Sequence, residues 1–180
     1  MTDFATTAAD PAADASARAA VHRRITALAA GLFDVPAAAV LEAGPAGWQV
    51  AAHAPDVGGN APSDNPLVAE ALRYGNLLNT ARDDFFVVPD FDDDPRLAGF
   101  GPPDSYGEDE TRLRFLAAVF LREPSAAGQP PAPRAARCLC LLDSRPRQLR
   151  SEDRHLLAEL VGLVGSGGKT SAAPPAAAAV

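Results

Sequence analysis

At 180 residues and a formal net charge of −7, the chain suits one domain with a sizeable core and spare length at its ends. The acidic balance argues against the clustered basic face of a duplex-binding protein and against docking on an anionic membrane, so neither nucleic acid nor membrane is expected as a partner. No run of about 18 apolar residues is present to span a bilayer. The start, MTDFATTAADPAADASA, lacks the basic opening and apolar stretch of a secretory signal, which makes a cytoplasmic location the expectation.

Taken in chain order, residues 1–16 are rich in Ala, Thr and Asp and hold too little apolar surface to order themselves. From Ala17 the pattern changes: Val21, Ile25, Leu28 and Leu32 recur at helical spacing as one apolar stripe, and the helix should end near Phe33, before Pro36. AAAVLEAG and GWQVAAHA, joined by Gly44-Pro45-Ala46-Gly47, read as two strands around a turn. Asn65-Pro66 opens a second helix, PLVAEALRYG, with Gly75 beyond its end. FFVVPD is a β-branched and aromatic strand that stops at a proline, and 91–110 is a loop with room for one helical turn. RLRFLAAVFLRE and RCLCLLD are apolar on both faces, as central strands are. Between them lies a Pro-rich connection, Glu123–Ala136.

Ser151 then caps a last helix whose first turn holds Glu152 and Asp153, the sign that suits its N-terminal dipole. Its buried face is expected from Leu156, Leu157, Leu160, Val161 and Val164. The remainder, 166–180, is a Gly/Ala/Pro tail, which leaves 17–165 as the folding unit. Helix, hairpin, helix, strand, loop, paired strands and helix make an α+β layer arrangement, with a mostly antiparallel sheet against helices.

Three stretches invite a chemical reading. PDFDDDPRL (Pro89–Leu97) sets Asp90, Asp92 and Asp94 at the first, third and fifth positions of a calcium loop. The position that needs glycine is Pro95, and the one that needs the bidentate glutamate is Gly101, so a calcium loop of this kind is not expected; a solvated acidic loop is the plain reading, with a looser divalent site as the alternative. GLVGSGGKT resembles a phosphate-binding loop, but Leu163 stands where its first glycine belongs, and the stretch follows a helix rather than a strand. Cys138 and Cys140 would face one side of a strand with Cα atoms about 6.5–7 Å apart, at or beyond disulfide reach. Reduced, buried thiols are the plain reading, and thiol catalysis would need His53 or His155 to approach them.

Three blocks together carry a resemblance. They are VPDFDDDPRL (Val88–Leu97), RFLAAVFL (Arg114–Leu121) and RCLCLLDSRPRQLRSED (Arg137–Asp153), preceded by GLFDVPAAAVLEA in the front half. In order and spacing these resemble the GAF domain family, small sensory modules of bacterial signalling proteins and phytochromes. The resemblance spans about residues 17–165. It departs at Leu116, where the family favours Tyr, at Ala118 for Gly, at Phe120 for Pro, and at Arg137 for the glycine that opens the last strand. These changes make the expected cavity more apolar. The cyclic-nucleotide pattern of some GAF domains is absent, as is a cysteine before Arg114 at which a bilin could attach.

The resemblance implies a GAF/PAS-like fold, a central antiparallel sheet of five to six strands flanked by helices. It implies a sensory or regulatory module without intrinsic catalysis, binding a small molecule or a partner signalling protein between the sheet and the 83–113 segment. Candidate pocket residues are Asp90, Asp94, Arg96, Tyr106, Arg114 and Cys140, and the sequence names no cofactor. Asp90, Asp94, Asp143 and Arg147 also have structural readings as turn-closing residues, while Asp92 and Asp93 fall on variable, solvated positions. The first and last helices are the expected homodimer surface. Two other functions stay open: a thiol-based reductase of the free methionine sulfoxide type, and a GAF scaffold without a ligand that serves dimerisation.

Overall fold

The computed structural model describes residues 11–55, 65–81, 83–97, 112–121 and 137–166. Among these residues four helices, α1 (Pro11–Leu32), α2 (Pro66–Arg73), α3 (Gly75–Leu78) and α4 (Ser151–Ser166), pack with five strands: β1 (Ala37–Gly44), β2 (Gly47–Ala54), β3 (Phe85–Val88), β4 (Phe115–Leu121) and β5 (Arg137–Asp143). The strands form one sheet in the order β2-β1-β5-β4-β3, antiparallel at every pairing. As the apolar runs require, β5 and β4 are central, and every β5 residue after Arg137 is buried. The Gly44–Gly47 turn closes the β1–β2 hairpin, and Gly47 has φ +116, a backbone state that suits glycine.

The sheet buries both faces. On one, α1 and α4 cover Ala38 and Val40 of β1, Phe115, Ala117 and Val119 of β4, and Leu139 and Leu141 of β5. On the other, α2 together with Phe91, Leu97 and Leu113 covers Ala39 and Leu41, Leu116 and Ala118, and Cys138, Cys140 and Leu142. Across that second face Ala39, Cys140 and Ala118 lie side by side, a row of small side chains that lets α2 pack close through the fully buried Val68 and Ala71.

Two helix expectations need correction. α1 begins at Pro11 rather than at Ala17; residues 12–18 are exposed, so this extension rests on alanine's helix propensity and not on burial. The buried side of α1 is His22, Ile25, Thr26 and Ala29, whereas Leu28 and Leu32 are 59% and 54% exposed. Alanines make the sheet beneath α1 shallow (Ala38, Ala52 and Ala54), and the helix seats His22, Ile25, Thr26 and Ala29 there while two leucines turn outward. In α4, Leu157 and Leu160 are buried as expected, Val161 is half-buried, and Leu156 is 37% exposed. The side chain of Val164 lies outside the described residues.

α1 ends in a reverse-turn cap. Val35 N–H donates to Ala30 O at 3.1 Å across Asp34, which takes a left-handed φ of 49 in the place glycine usually fills. α2 starts as its sequence requires, with the Asn65 side chain accepting from the N–H groups of Leu67 and Val68. Gly75 opens the short helix α3 rather than simply ending α2.

Candidate functional site

The acidic stretch forms two interlocked turns fastened by arginines. Asp90 accepts from Asp92 N–H at 3.0 Å, and Asp94 accepts from Arg96 N–H at 2.9 Å, the local carboxylate-to-backbone bonds that stabilise such turns. Leu97 N–H donates to Asp94 O within the single 3₁₀ turn Pro95–Leu97. Pro95 thus opens a tight turn where a calcium loop would need glycine.

Each structural carboxylate holds a guanidinium. Arg114 forks onto Asp90, Nε to Oδ1 at 2.9 Å and Nη2 to Oδ2 at 2.8 Å, and its Nη2 also reaches Asp92 Oδ2 at 3.1 Å. Arg96 pairs with Asp94, donates to Val87 O at 2.7 Å, and lies over the Phe86 ring with 4.7 Å to the ring centre. Arg112 holds the other Asp92 oxygen at 2.6 Å. Asp92, expected to be solvated, is therefore shared between two arginines that follow it by some twenty positions in the chain. The bond from Arg114 holds the Asp90 carboxyl below the usual carboxylate range, and that from Arg96 does the same for Asp94. These acids stay charged and committed to cations. Among the described residues no group of three His, Cys, Asp or Glu side chains could hold a metal ion.

Behind the clamps lies the second core face. Phe91 packs on Tyr74 with ring centres 4.9 Å apart, and Phe91, Leu97 and Leu113 are all buried there. Leu116 and Ala118 are fully buried on the same face, and Phe120 packs against it, so the departures from the GAF pattern line one apolar floor. Arg137, in the place of the family's glycine, ion-pairs with Glu42 at 3.3 Å across the β1–β5 register. Trp48 closes another side, donating from Nε1 to Asn79 Oδ1 at 3.2 Å.

Cys138 and Cys140 belong to the floor, free, fully buried and with Sγ atoms 3.6 Å apart. Burial pushes the Cys138 thiol well up, away from the thiolate that nucleophilic chemistry needs. Of the histidines, His22 is buried under α1 with its pKa lowered by desolvation, and His155 is exposed on α4 beside Glu159 at 3.3 Å. The GLVGS part of the phosphate-loop lookalike lies inside α4. Of the six candidate pocket residues, Asp90 and Arg114 pair with each other, Asp94 and Arg96 with each other, and Cys140 lies on the sheet floor. Tyr106 lies outside the described residues. One residue the sequence reading passed over stands out: Glu70 of α2, a carboxylate only 4% exposed among apolar neighbours.

Asp143 carries the third clamp. Its carboxylate accepts from Arg145 N–H at 3.0 Å and pairs with Arg147, whose guanidinium also donates to Phe33 O and Asp34 O at the end of α1. Its carbonyl accepts from Arg114 N–H at 2.8 Å.

No family model and no curated relative matches the chain. Solved structures do. A far-red cyanobacteriochrome photoreceptor superposes with a TM-score of 0.56 at 10% identity, over 86% of this chain and 87% of that one. The PixJ GAF domain of Thermosynechococcus elongatus, in its blue-light absorbing form, gives 0.54 at 14% identity over 88% and 90%. GAF3 of a Synechocystis protein gives 0.53 at 13% identity over 82% and 90%. At such identities the shared property is the arrangement of sheet and helices and not the residues of a site. The five-stranded antiparallel sheet, flanked by α1 and α4 on one face and by α2 and the clamped 89–97 turns on the other, is a GAF fold.

Proposed function

We propose that this GAF-fold domain is a sensory or regulatory module that binds a small molecule between the sheet and the 83–113 segment. Binding there would pass to a partner protein, without intrinsic catalysis. The observation that carries the reading is the clamped wall: Asp90–Arg114 and Asp94–Arg96 fasten a turn over an apolar sheet face, on the side opposite α1 and α4. The acids are committed to arginines, which suits a fixed wall better than proton transfer. The buried thiols are likewise poorly placed for the methionine sulfoxide reductase alternative.

Native mass spectrometry of the protein purified from its own host tests the proposal. A retained small molecule is the expected result, and a mass equal to the bare chain in every preparation refutes ligand sensing and favours the scaffold. Changing both cysteines to serine and assaying methionine sulfoxide reduction tests the reductase; turnover that depends on either thiol would replace the sensory reading.

The outward Leu28 and Leu32 of α1 and Leu156 of α4 favour a homodimer built on these helices. Leu28→Glu should shift the protein from dimer to monomer in sedimentation velocity. A monomeric parent protein would remove the dimer.

A further inference from the structure

Glu70 is a charge placed where the fold gives it little support. It lies in the last turn of α2, at the end of the helix where the dipole disfavours a carboxylate. Only 4% of it is exposed, among Leu67, Ala71, Leu113 and the Tyr74–Phe91 pair. One oxygen, Oε2, accepts the Leu113 N–H, while Oε1 is buried and has no hydrogen-bond partner among the described residues. No ion pair of Glu70 exists among the described residues. Of the arginines nearby, Arg112 is committed to Asp92 and Arg114 to Asp90 and Asp92, while Arg73, three residues on along α2, is exposed to solvent.

We infer that Glu70 is the polar anchor of the ligand site, and that its Oε1 accepts a hydrogen bond from a cationic N–H group, a primary ammonium or amidinium, carried on a small apolar body. The inference rests on the sensory reading and deepens it by assigning a ligand class. An organic cation supplies both things the side chain lacks, a donor for Oε1 and a positive charge beside a buried carboxylate. The surroundings suit such a group. Tyr74 follows Glu70 by one helical turn, and its phenol is pushed up chiefly by burial and next by the Glu70 charge, so it stays a neutral ring near the carboxylate. With Phe91 at 4.9 Å, it offers aromatic surface to a cation and to the apolar body attached to it. The fold itself does not need an acid here, since one backbone N–H is all that Glu70 satisfies.

Phenethylamine and benzamidine are suitable probes, with 2-phenylethanol as a body of similar shape without the charge. Isothermal titration should show the amine or the amidine binding the wild-type protein in the millimolar range or tighter, and no binding of the alcohol at about 10 mM. Glu70→Gln should weaken that binding about tenfold or more, while the unliganded variant keeps or raises the wild-type Tm, because a neutral amide replaces an uncompensated buried charge. Any of these results would overturn the inference: no binding of either cation at about 10 mM, equal binding of the alcohol, equal binding by the variant, or a marked fall in the Tm of the unliganded variant. The last would make Glu70 a purely structural residue. A neutral or anionic molecule retained in the native mass spectrum would sink this inference and leave the sensory reading standing.

Discussion

Replacing Asp90 with Asn tests whether the clamp over the sheet is an energetic feature or only a contact. The Asp90 carboxylate accepts three hydrogen bonds, two from the Arg114 fork and one from Asp92 N–H. Asn keeps the size and one acceptor for the backbone bond, but it presents an amide donor to the guanidinium and removes the charge. The side chains are 19% and 29% exposed, between a surface pair worth under about 1 kcal/mol and a buried one whose disruption costs about 3–5 kcal/mol. Arg114 is not left alone, since Asp92 remains at 3.1 Å. The cost should therefore be about 1.5–2 kcal/mol, a fall in Tm of about 3–8 °C for a domain of this size.

Acidity supplies a second arm. The folded-state pKa of Asp90 is lowered, so its contribution is complete above the unfolded value near 3.8 and disappears as pH falls through the lowered folded value. Urea unfolding near neutral pH should separate wild type from variant by the full amount, and the gap should narrow as pH falls below 3.8. A difference under about 0.5 kcal/mol at neutral pH, or one that persists undiminished in acid, refutes the argument.

Arg147→Met should cost more, about 3 kcal/mol by urea unfolding, because it strands the Asp143 carboxylate at 3% exposure and releases two carbonyls at the end of α1. Gly75→Ala would bring a Cβ to 2.9 Å from Trp48 Cδ1, so it should destabilise by about 1–2 kcal/mol and shift the fluorescence of Trp48, the chain's one tryptophan. Iodoacetamide should modify Cys138 and Cys140 only at the rate of unfolding and fast in denaturant; rapid native labelling would show that the sheet face opens.

Much of this architecture is visible in the sequence because it is local. The two strands that read as apolar on both faces are the central pair, β4 and β5, and Asn65-Pro66 caps α2 as its chemistry requires. What escaped depends on distant neighbours. Leu28 and Leu32 fit an apolar period, but the alanine-floored sheet accepts His22, Thr26 and Ala29 instead. Asp92 sits at a variable position, yet Arg112 and Arg114 return to it once β4 pairs with β3. Glu70 reads as a polar residue on a surface helix until Leu113 is laid against it. Its only local signal is its position three residues after Leu67 and one before Ala71, at the edge of the apolar face.

The three clamps form a connected chain, which matters for a domain proposed to use each face for a different task. The Arg114 side chain holds Asp90 and Asp92, and its backbone N–H donates to Asp143 O at the end of β5. The Asp143 side chain holds Arg147, whose guanidinium caps the carbonyls of Phe33 and Asp34 after α1. Arg147 N–H closes the circuit on Pro89 O, the residue before Asp90, at 3.0 Å. The wall of the proposed ligand site and the end of α1 thus share one strand terminus. A displacement of the 89–90 backbone cannot leave the Arg147 position unchanged unless that hydrogen bond breaks. Physical contiguity of this kind is a precondition for coupling and not its measure. It does explain why acids that look like ligands are spent on arginines: they join the two faces of the sheet, and Glu70, outside that network, is left for recognition.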